Sequence, residues 1–240
     1  MATLKQNLTA EFLGSMFLVI VAIGSTILPV EVFHVDTGVA VFMNAMAVAM
    51  VLYALIETFG PISGAHFNPA VTLSLFLTKD ISARKASMYV LIQIIGGMVG
   101  LLVTHLMFWD VNDTLLTISE NSKTPSLYFA EFIGTFALLA VIYGCVRAGS
   151  KNTPLAVSFI VGGLLITTSS TMYANPVVTL ARVFTYAMCG ITPGDAVIFM
   201  MAEIIGAIAA AAVIGKLLYP KKLDSVCTPY NCPPKLIEIK

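Results

Sequence analysis

Two asparagines that occur in nearly identical sequence contexts are the residues of this chain best suited to orient a solute. The motif Asn-Pro-Ala-Val-Thr-Leu begins at Asn68, and the motif Asn-Pro-Val-Val-Thr-Leu begins at Asn175. Asparagine caps helices, and proline fits the first helical turn, where its missing N–H costs nothing. Each side-chain amide can also donate a hydrogen bond to a solute oxygen. The pattern therefore predicts two helix N-termini that present amides to one place.

The composition is that of a membrane protein: 58% of the 240 residues are hydrophobic and 11% are charged. Six apolar stretches are long enough to cross a hydrocarbon core of ~30 Å as helices, and they cover approximately residues 9–30, 37–59, 83–108, 126–146, 154–172 and 194–219. The segments after the two Asn-Pro motifs are too short to span. We therefore predict an all-α membrane protein with six transmembrane helices and two re-entrant half-helices.

The basic residues are distributed unevenly between the loops. If the N-terminus is cytoplasmic, 11 of the 13 basic residues fall on the cytoplasmic side, and only Lys123 and Arg182 fall on the outer side. This agrees with the positive-inside rule and predicts that both termini are cytoplasmic. Residues 1–6 lack the pattern of a cleavable signal, so we expect the first span to remain.

The two halves of the chain are related by an internal repeat. Ala-Glu-Phe-Leu-Gly at 10–14 returns as Ala-Glu-Phe-Ile-Gly at 130–134, and Gln-Ile-Ile-Gly at 93–96 returns as Glu-Ile-Ile-Gly at 203–206. Three spans per half is an odd number, so the second half must be inverted relative to the first. Such repeats place broken helices, and the solute site, near the membrane midplane. We predict one domain over 1–219, with repeats at 8–108 and 126–219, an extracellular linker at 109–125 and a cytoplasmic tail at 220–240.

The half-helices make a pore the favoured interpretation. Their positive N-terminal ends would repel cations at the midplane, and the carbonyl groups of 63–67 and 171–174 would line the path. The residues assigned to the midplane are Asn68, Pro69, Ala70, Asn175, Pro176 and Val177.

Three other polar residues lie in or beside apolar segments. Glu11 and Glu131 occupy matching positions of the repeat. They could form a proton relay or an ion site, but the repeat favours carboxylates that brace the re-entrant loop of their own half. His66 is expected to line the pore or brace its loop, and a single histidine provides no metal site.

Other functional classes receive less support. Cys227 and Cys232 form a thiol pair in the tail that could bind a soft metal or As(III), although an incidental pair is the simpler interpretation. The chain shows no nucleophile–base pair, phosphate loop or metal-ligand set, so we expect no enzyme activity, no cofactor and no nucleic-acid partner. A coupled transporter remains an alternative because inverted repeats also occur in that class.

Taken together, the two Asn-Pro motifs, Ser-Gly-Ala-His-Phe at 63–67 and the paired Ala-Glu-Phe segments resemble the aquaporin/glycerol-facilitator (major intrinsic protein) family over residues 8–219. The resemblance implies a homotetramer in the cell membrane, surrounded by lipid, with one pore per subunit. It also implies passive flow of water or small uncharged solutes. Residues 174–182 further resemble a bacterial subgroup associated with arsenic detoxification.

The selectivity filter differs from the family pattern. Typical members carry an arginine three residues after the second asparagine, where this chain has Val178. By their distance from the motifs, the other filter residues are Val48, Gly163 and Met172. This set has no charge and no bulky aromatic group, so we expect a wide filter that passes glycerol-like polyols and metalloid acids such as arsenous acid. A water or gas pore, for CO2 or NH3, is the alternative.

Arg182 lies four residues after Val178, one helical turn further outward. Two roles are open at this stage. Arg182 either lines the outer vestibule, where it partly replaces the missing arginine by repelling cations, or anchors the helix at the membrane interface.

Overall fold

The computed structural model describes residues 2–220, so Met1, most of the predicted tail and the pair Cys227 and Cys232 lie outside the described residues. The helices are α1 Leu4–Ile27, α2 Thr37–Ser63, α3 Pro69–Leu77, α4 Ala83–Met107, α5 Pro125–Ala148, α6 Thr153–Thr167, α7 Pro176–Arg182 and α8 Pro193–Ala210. Helix α1 continues as a π-helical segment, Leu28–Val32, and α8 continues as a second one, Ala211–Leu218.

The predicted all-α fold is confirmed. In the described part of the chain, five helices are long and apolar enough to cross a membrane: Leu4–Val32, Thr37–Ser63, Ala83–Met107, Pro125–Ala148 and Pro193–Leu218. The short helices α3 and α7 follow the two Asn-Pro motifs and have 9 and 7 residues. Both are too short to span the hydrocarbon core, as a half-helix must be.

The fifth predicted span needs a correction. It was expected over 154–172, but α6 ends at Thr167 and has only 15 residues, or about 22 Å of helix. The Thr168 hydroxyl donates to the Leu164 carbonyl (2.7 Å) and accepts from the Met172 backbone N–H (3.1 Å), which caps the end of the helix. Residues 168–175 then form irregular backbone that ends at Asn175, the N-cap of α7. Residues 168–171, Thr-Ser-Ser-Thr, are polar, so the helix ends where the apolar sequence ends and the predicted span ran about five residues too far.

Each half forms the same packing unit. Helix α1 packs against α4 in the first half, α5 packs against α8 in the second, and α2 contacts α6 across the two halves. Small residues permit the close approach: a Cβ on Gly96 would collide with the Phe12 carbonyl, and one on Gly206 would lie 2.7 Å from the Phe132 carbonyl. These matching glycines hold the long helices together around the two half-helices.

Candidate functional site: a central cavity between the two half-helices

A cavity of about 80 Å³ lies between the halves, and both capping asparagines line it. Asn68 and Asn175 are the N-caps of α3 and α7, and their Oδ1 atoms accept from the backbone N–H groups of Ala70 (2.8 Å) and Val177 (3.0 Å). The residues that line the cavity between His66 and Arg182 are mainly aliphatic. They include Leu18, Leu52, Val71, Leu138, Val157, Val161 and Leu165.

The two asparagines also join the halves directly. Asn68 Nδ2 donates to the Ala174 carbonyl (2.7 Å), and Asn175 Nδ2 donates to the Phe67 carbonyl (3.0 Å). Each side-chain amide therefore donates to the backbone carbonyl of the residue that precedes the other asparagine. Because an amide nitrogen carries two protons, each asparagine keeps a second N–H beyond this contact. This reciprocal pair fixes the amides where the two helix N-termini meet.

Glu11 holds the first re-entrant loop. Its carboxylate is fully buried and accepts from the backbone N–H groups of His66 (3.0 Å) and Phe67 (2.8 Å). Ser63 Oγ and Gln93 Nε2 also donate to it, at 2.6 Å and 2.7 Å. Without Glu11, these loop N–H groups would be buried without hydrogen-bond partners. The carboxylate therefore braces the first re-entrant loop, as the sequence predicts.

Two carboxylates hold the second loop. Glu131 accepts from the backbone N–H groups of Tyr173 (3.0 Å) and Ala174 (2.7 Å). Glu203 accepts from the backbone N–H of Asn175 (3.1 Å) and from the Thr179 hydroxyl (2.6 Å). The sequence analysis did not assign a role to Glu203, although its repeat partner, Gln93, gave the signal needed. Because positions 93 and 203 match in the repeat, a contact of one side chain with its half-helix predicts the same contact for the other.

His66 lines the central cavity. Its Nδ1 lies 3.0 Å from Thr72 Oγ1, on the first turn of α3, and its ring packs edge-on against Tyr89. The side chain therefore contacts both the cavity and the elements that hold the loop. In the described residues, no group of three or more His, Cys, Asp or Glu side chains could hold a metal ion.

Three of the four predicted filter residues line the cavity, and one does not. Val48, Met172 and Val178 are lining residues. Gly163 is exposed on the outside of α6, beside a surface groove that includes Met46, Met50 and Phe159. The face of α6 that lines the cavity carries Val157, Val161 and Leu165 instead. Counting back from Asn175 misplaced the position because the second loop is longer than the first.

Arg182 turns inward at the outer end of the cavity. It is only 2% exposed, its Nη2 donates to the Ala22 carbonyl (3.1 Å), and its Cζ lies 3.9 Å from the centre of the Tyr173 ring. The side chain is therefore not anchored at the lipid interface. The sequence alone assigns no role to the side chain of Tyr173, which forms the opposite side of this contact.

A second, outer cavity of about 200 Å³ begins where the first one ends. Arg182 and Tyr173 line both cavities, so they form the boundary between them. The outer cavity is also lined by Thr26, Asn44, Lys123, Ser170 and Cys189. A solute moving between the two cavities must pass this guanidinium and ring.

Comparisons with known proteins agree with this architecture. The family model described as "Major intrinsic protein" matches residues 1–174. The chain is 36% identical over 220 residues to aquaglyceroporin AqpS of Rhizobium meliloti, covering 91% of this chain and 93% of the relative. It is 30% identical over 229 residues to Nodulin-26 of Glycine max, covering 90% and 79%.

The fold has also been seen in a solved structure, that of the aquaglyceroporin from Plasmodium falciparum. It matches with a TM-score of 0.74 at 19% identity, over 91% of this chain and 98% of that one. The extent of the family match and the identity to its relatives lead to one conclusion: the chain belongs to the major intrinsic protein family.

Proposed function

We propose that this membrane protein is a passive channel whose wide, largely apolar path admits glycerol-like polyols and undissociated metalloid acids as well as water. Members of the family to which the chain belongs are passive channels for water and small solutes such as glycerol. They are not enzymes. The observation that carries the finer proposal is the lining of the central cavity. Its filter positions Val48, Met172 and Val178 are uncharged and non-aromatic.

The polar groups of the path support selection of neutral solutes. Asn68 and Asn175 provide N–H donors at the ends of two helices, where the positive ends of the helix dipoles oppose cations and protons. A polyol can accept these hydrogen bonds while its carbon atoms contact the aliphatic wall. A cation would lose its hydration shell without gaining compensating carboxylates.

Arg182 is proposed to act as the outer charge barrier. It lies one helical turn beyond Val178, yet its side chain folds back over the Tyr173 ring at the cavity boundary. A cationic guanidinium there raises the energy of an approaching cation. The filter of this chain would therefore combine an aliphatic constriction with a charge placed further outward.

Several further features of the proposal concern the whole protein. We infer a homotetramer in the cell membrane, with lipid around it, both termini cytoplasmic, one channel domain over 1–219 and a tail over 220–240. The excess of basic residues in the loops assigned to the cytoplasm supports this orientation. Crosslinking in native membranes and accessibility of introduced cysteines would test these points.

The filter assignment is tested by Val178→Arg. Because Val178 is buried against a cavity of about 80 Å³, an added guanidinium should obstruct large solutes before water. We expect glycerol and arsenite flux into proteoliposomes to fall about tenfold or more, corresponding to about 1.4 kcal/mol of barrier, while osmotic water flux falls less.

Gly163→Leu serves as the comparison for this experiment, since a side chain at Gly163 meets open space outside the cavity. Its glycerol flux should match that of the wild type. Unchanged glycerol flux in Val178→Arg, or a block in Gly163→Leu, would contradict the assignment. Saturable, gradient-coupled uptake by the wild type would instead indicate a coupled transporter.

A further inference from the structure

We propose that the outer cavity is a binding site for a small monovalent oxyanion of the nitrate type, held by Lys123 and Arg182. The bound anion would obstruct the entry of neutral solutes, because Arg182 and Tyr173 line both this cavity and the central one. The obstruction of solute entry rests on the proposed channel function, whereas the binding of the anion does not.

The lining of the outer cavity is the first argument. Two cationic side chains line it, and among the described residues that line it there is no carboxylate. The other polar lining groups include hydroxyls and an amide, of which Thr26, Asn44 and Thr171 already donate to acceptors within the protein. The remaining hydroxyls of the lining include those of Thr37 and Ser169. A cavity lined by two cationic side chains, with no carboxylate among the described lining residues, favours an anion.

The hydrogen bonding of Arg182 is the second argument. Only Nη2 donates to a protein acceptor, and the buried Nε and Nη1 atoms have no partner among the described residues. No salt bridge to this guanidinium occurs in the part of the chain described. A planar guanidinium with unused donors matches the planar geometry of a small oxyanion.

The position of Lys123 is the third argument. Its Nζ lies 5.9 Å from the centre of the Tyr173 ring, which also contacts Arg182, so two cations flank one aromatic side chain. Burial and the neighbouring Arg182 charge lower the pKa of the Lys123 ammonium. A bound anion would oppose this repulsion by neutralising the pair.

The nearby carboxylates are engaged elsewhere. Asp195 accepts from the Tyr128 hydroxyl (2.6 Å), the Thr192 hydroxyl (2.7 Å) and the backbone N–H of Lys123 (2.8 Å). Glu131 and Glu203 bind the backbone of the re-entrant loop. None of the three lines the outer cavity, so the charge facing an entering solute is positive.

The inference is tested by measuring glycerol flux into proteoliposomes with nitrate, or impermeant gluconate, on the outer side. Nitrate should inhibit the wild type in a saturable way. In Lys123→Gln the half-inhibitory concentration, relative to the nitrate-free flux of the same variant, should rise about tenfold, since a charge-assisted contact is lost. Lys151→Gln, which changes an exposed lysine in the loop between α5 and α6, should retain wild-type inhibition.

A direct binding measurement separates this proposal from the channel function. Nitrate should raise the melting temperature of the full-length protein in detergent, and Lys123→Gln should lose most of this shift. A shift without glycerol flux would support the anion site and contradict the channel proposal. Absence of a nitrate effect in both measurements, or equal effects in wild type and Lys123→Gln, would overturn the anion site.

Discussion

The two halves of the repeat, which we call the inner half (the first) and the outer half (the second), anchor their re-entrant loops in the same way but with different charges. In the inner half, Glu11 bonds two backbone N–H groups and the Gln93 amide, and position 75 is a leucine. In the outer half, Gln93 is replaced by Glu203, and the position that matches Leu75 is Arg182. The outer half has therefore gained a buried carboxylate and a buried guanidinium together. A buried glutamate that binds the loop backbone is common to both halves, whereas a guanidinium that lines the cavity occurs only in the outer half among these matched positions.

The paired change has a physical rationale. Glu203 Oε2 has no hydrogen-bond partner among the described residues, and neither do Nε and Nη1 of Arg182. An isolated buried charge is very costly, but opposite formal charges in one low-dielectric region stabilise each other without direct contact. We infer that the guanidinium of Arg182 lowers the cost of burying Glu203. The following variants test how far the two halves are equivalent.

The largest effect is expected from Glu11→Ala. This change leaves the buried N–H groups of His66 and Phe67 without acceptors, so we expect the free energy of unfolding to fall by about 3–5 kcal/mol. Glu131→Ala should cost less, about 2–3 kcal/mol, because Glu203 still binds the second loop. Denaturant titration in detergent micelles measures both.

Glu57→Ala is the matched control for these two variants, since Glu57 is exposed. It should change the free energy of unfolding by less than about 0.5 kcal/mol. Equal losses for Glu11→Ala and Glu131→Ala would show that Glu203 adds nothing to the outer loop.

An intermediate effect is expected from two single substitutions at the matched positions 93 and 203. One changes the amide of Gln93 to a carboxyl, and the other changes the carboxyl of Glu203 to an amide. Gln93→Glu places a second carboxyl 2.7 Å from Glu11, and should destabilise the protein by about 2–3 kcal/mol. Glu203→Gln keeps an oxygen for the Asn175 N–H and should cost only about 1 kcal/mol. Similar losses in both variants would contradict the idea that the outer half tolerates its extra carboxylate because of Arg182.

The smallest effect is expected from Arg182→Leu, which gives the outer half the residue of the inner half. Removing the guanidinium from the cavity boundary should raise glycerol permeability roughly threefold, about 0.7 kcal/mol of barrier, and increase cation conductance measured in planar bilayers. Arg84→Leu, at an exposed site on α4, is the control and should match the wild type. Unchanged cation conductance in Arg182→Leu would remove this side chain from the charge barrier.

Much of the fold followed from local pattern. Apolar length located the spans, and the asparagine-proline pairs located the starts of α3 and α7, since capping and proline geometry are properties of a few adjacent residues. The filter was harder to predict, because a position counted along the chain depends on loop length. Gly163 was misplaced for this reason, while Val48, Met172 and Val178 line the cavity.

The sequence by itself determined the membrane class, the inverted repeat and the two half-helices, because hydropathy, capping and repetition are written in neighbouring residues. Only the tertiary structure decided which donors each buried carboxylate receives, which face of α6 lines the cavity, and that Arg182 points inward over Tyr173. Those outcomes depend on side chains from distant segments that meet in one low-dielectric region. In such a region an unpaired polar group is costly, so the side chains adopt the arrangement that gives the buried groups hydrogen-bond partners.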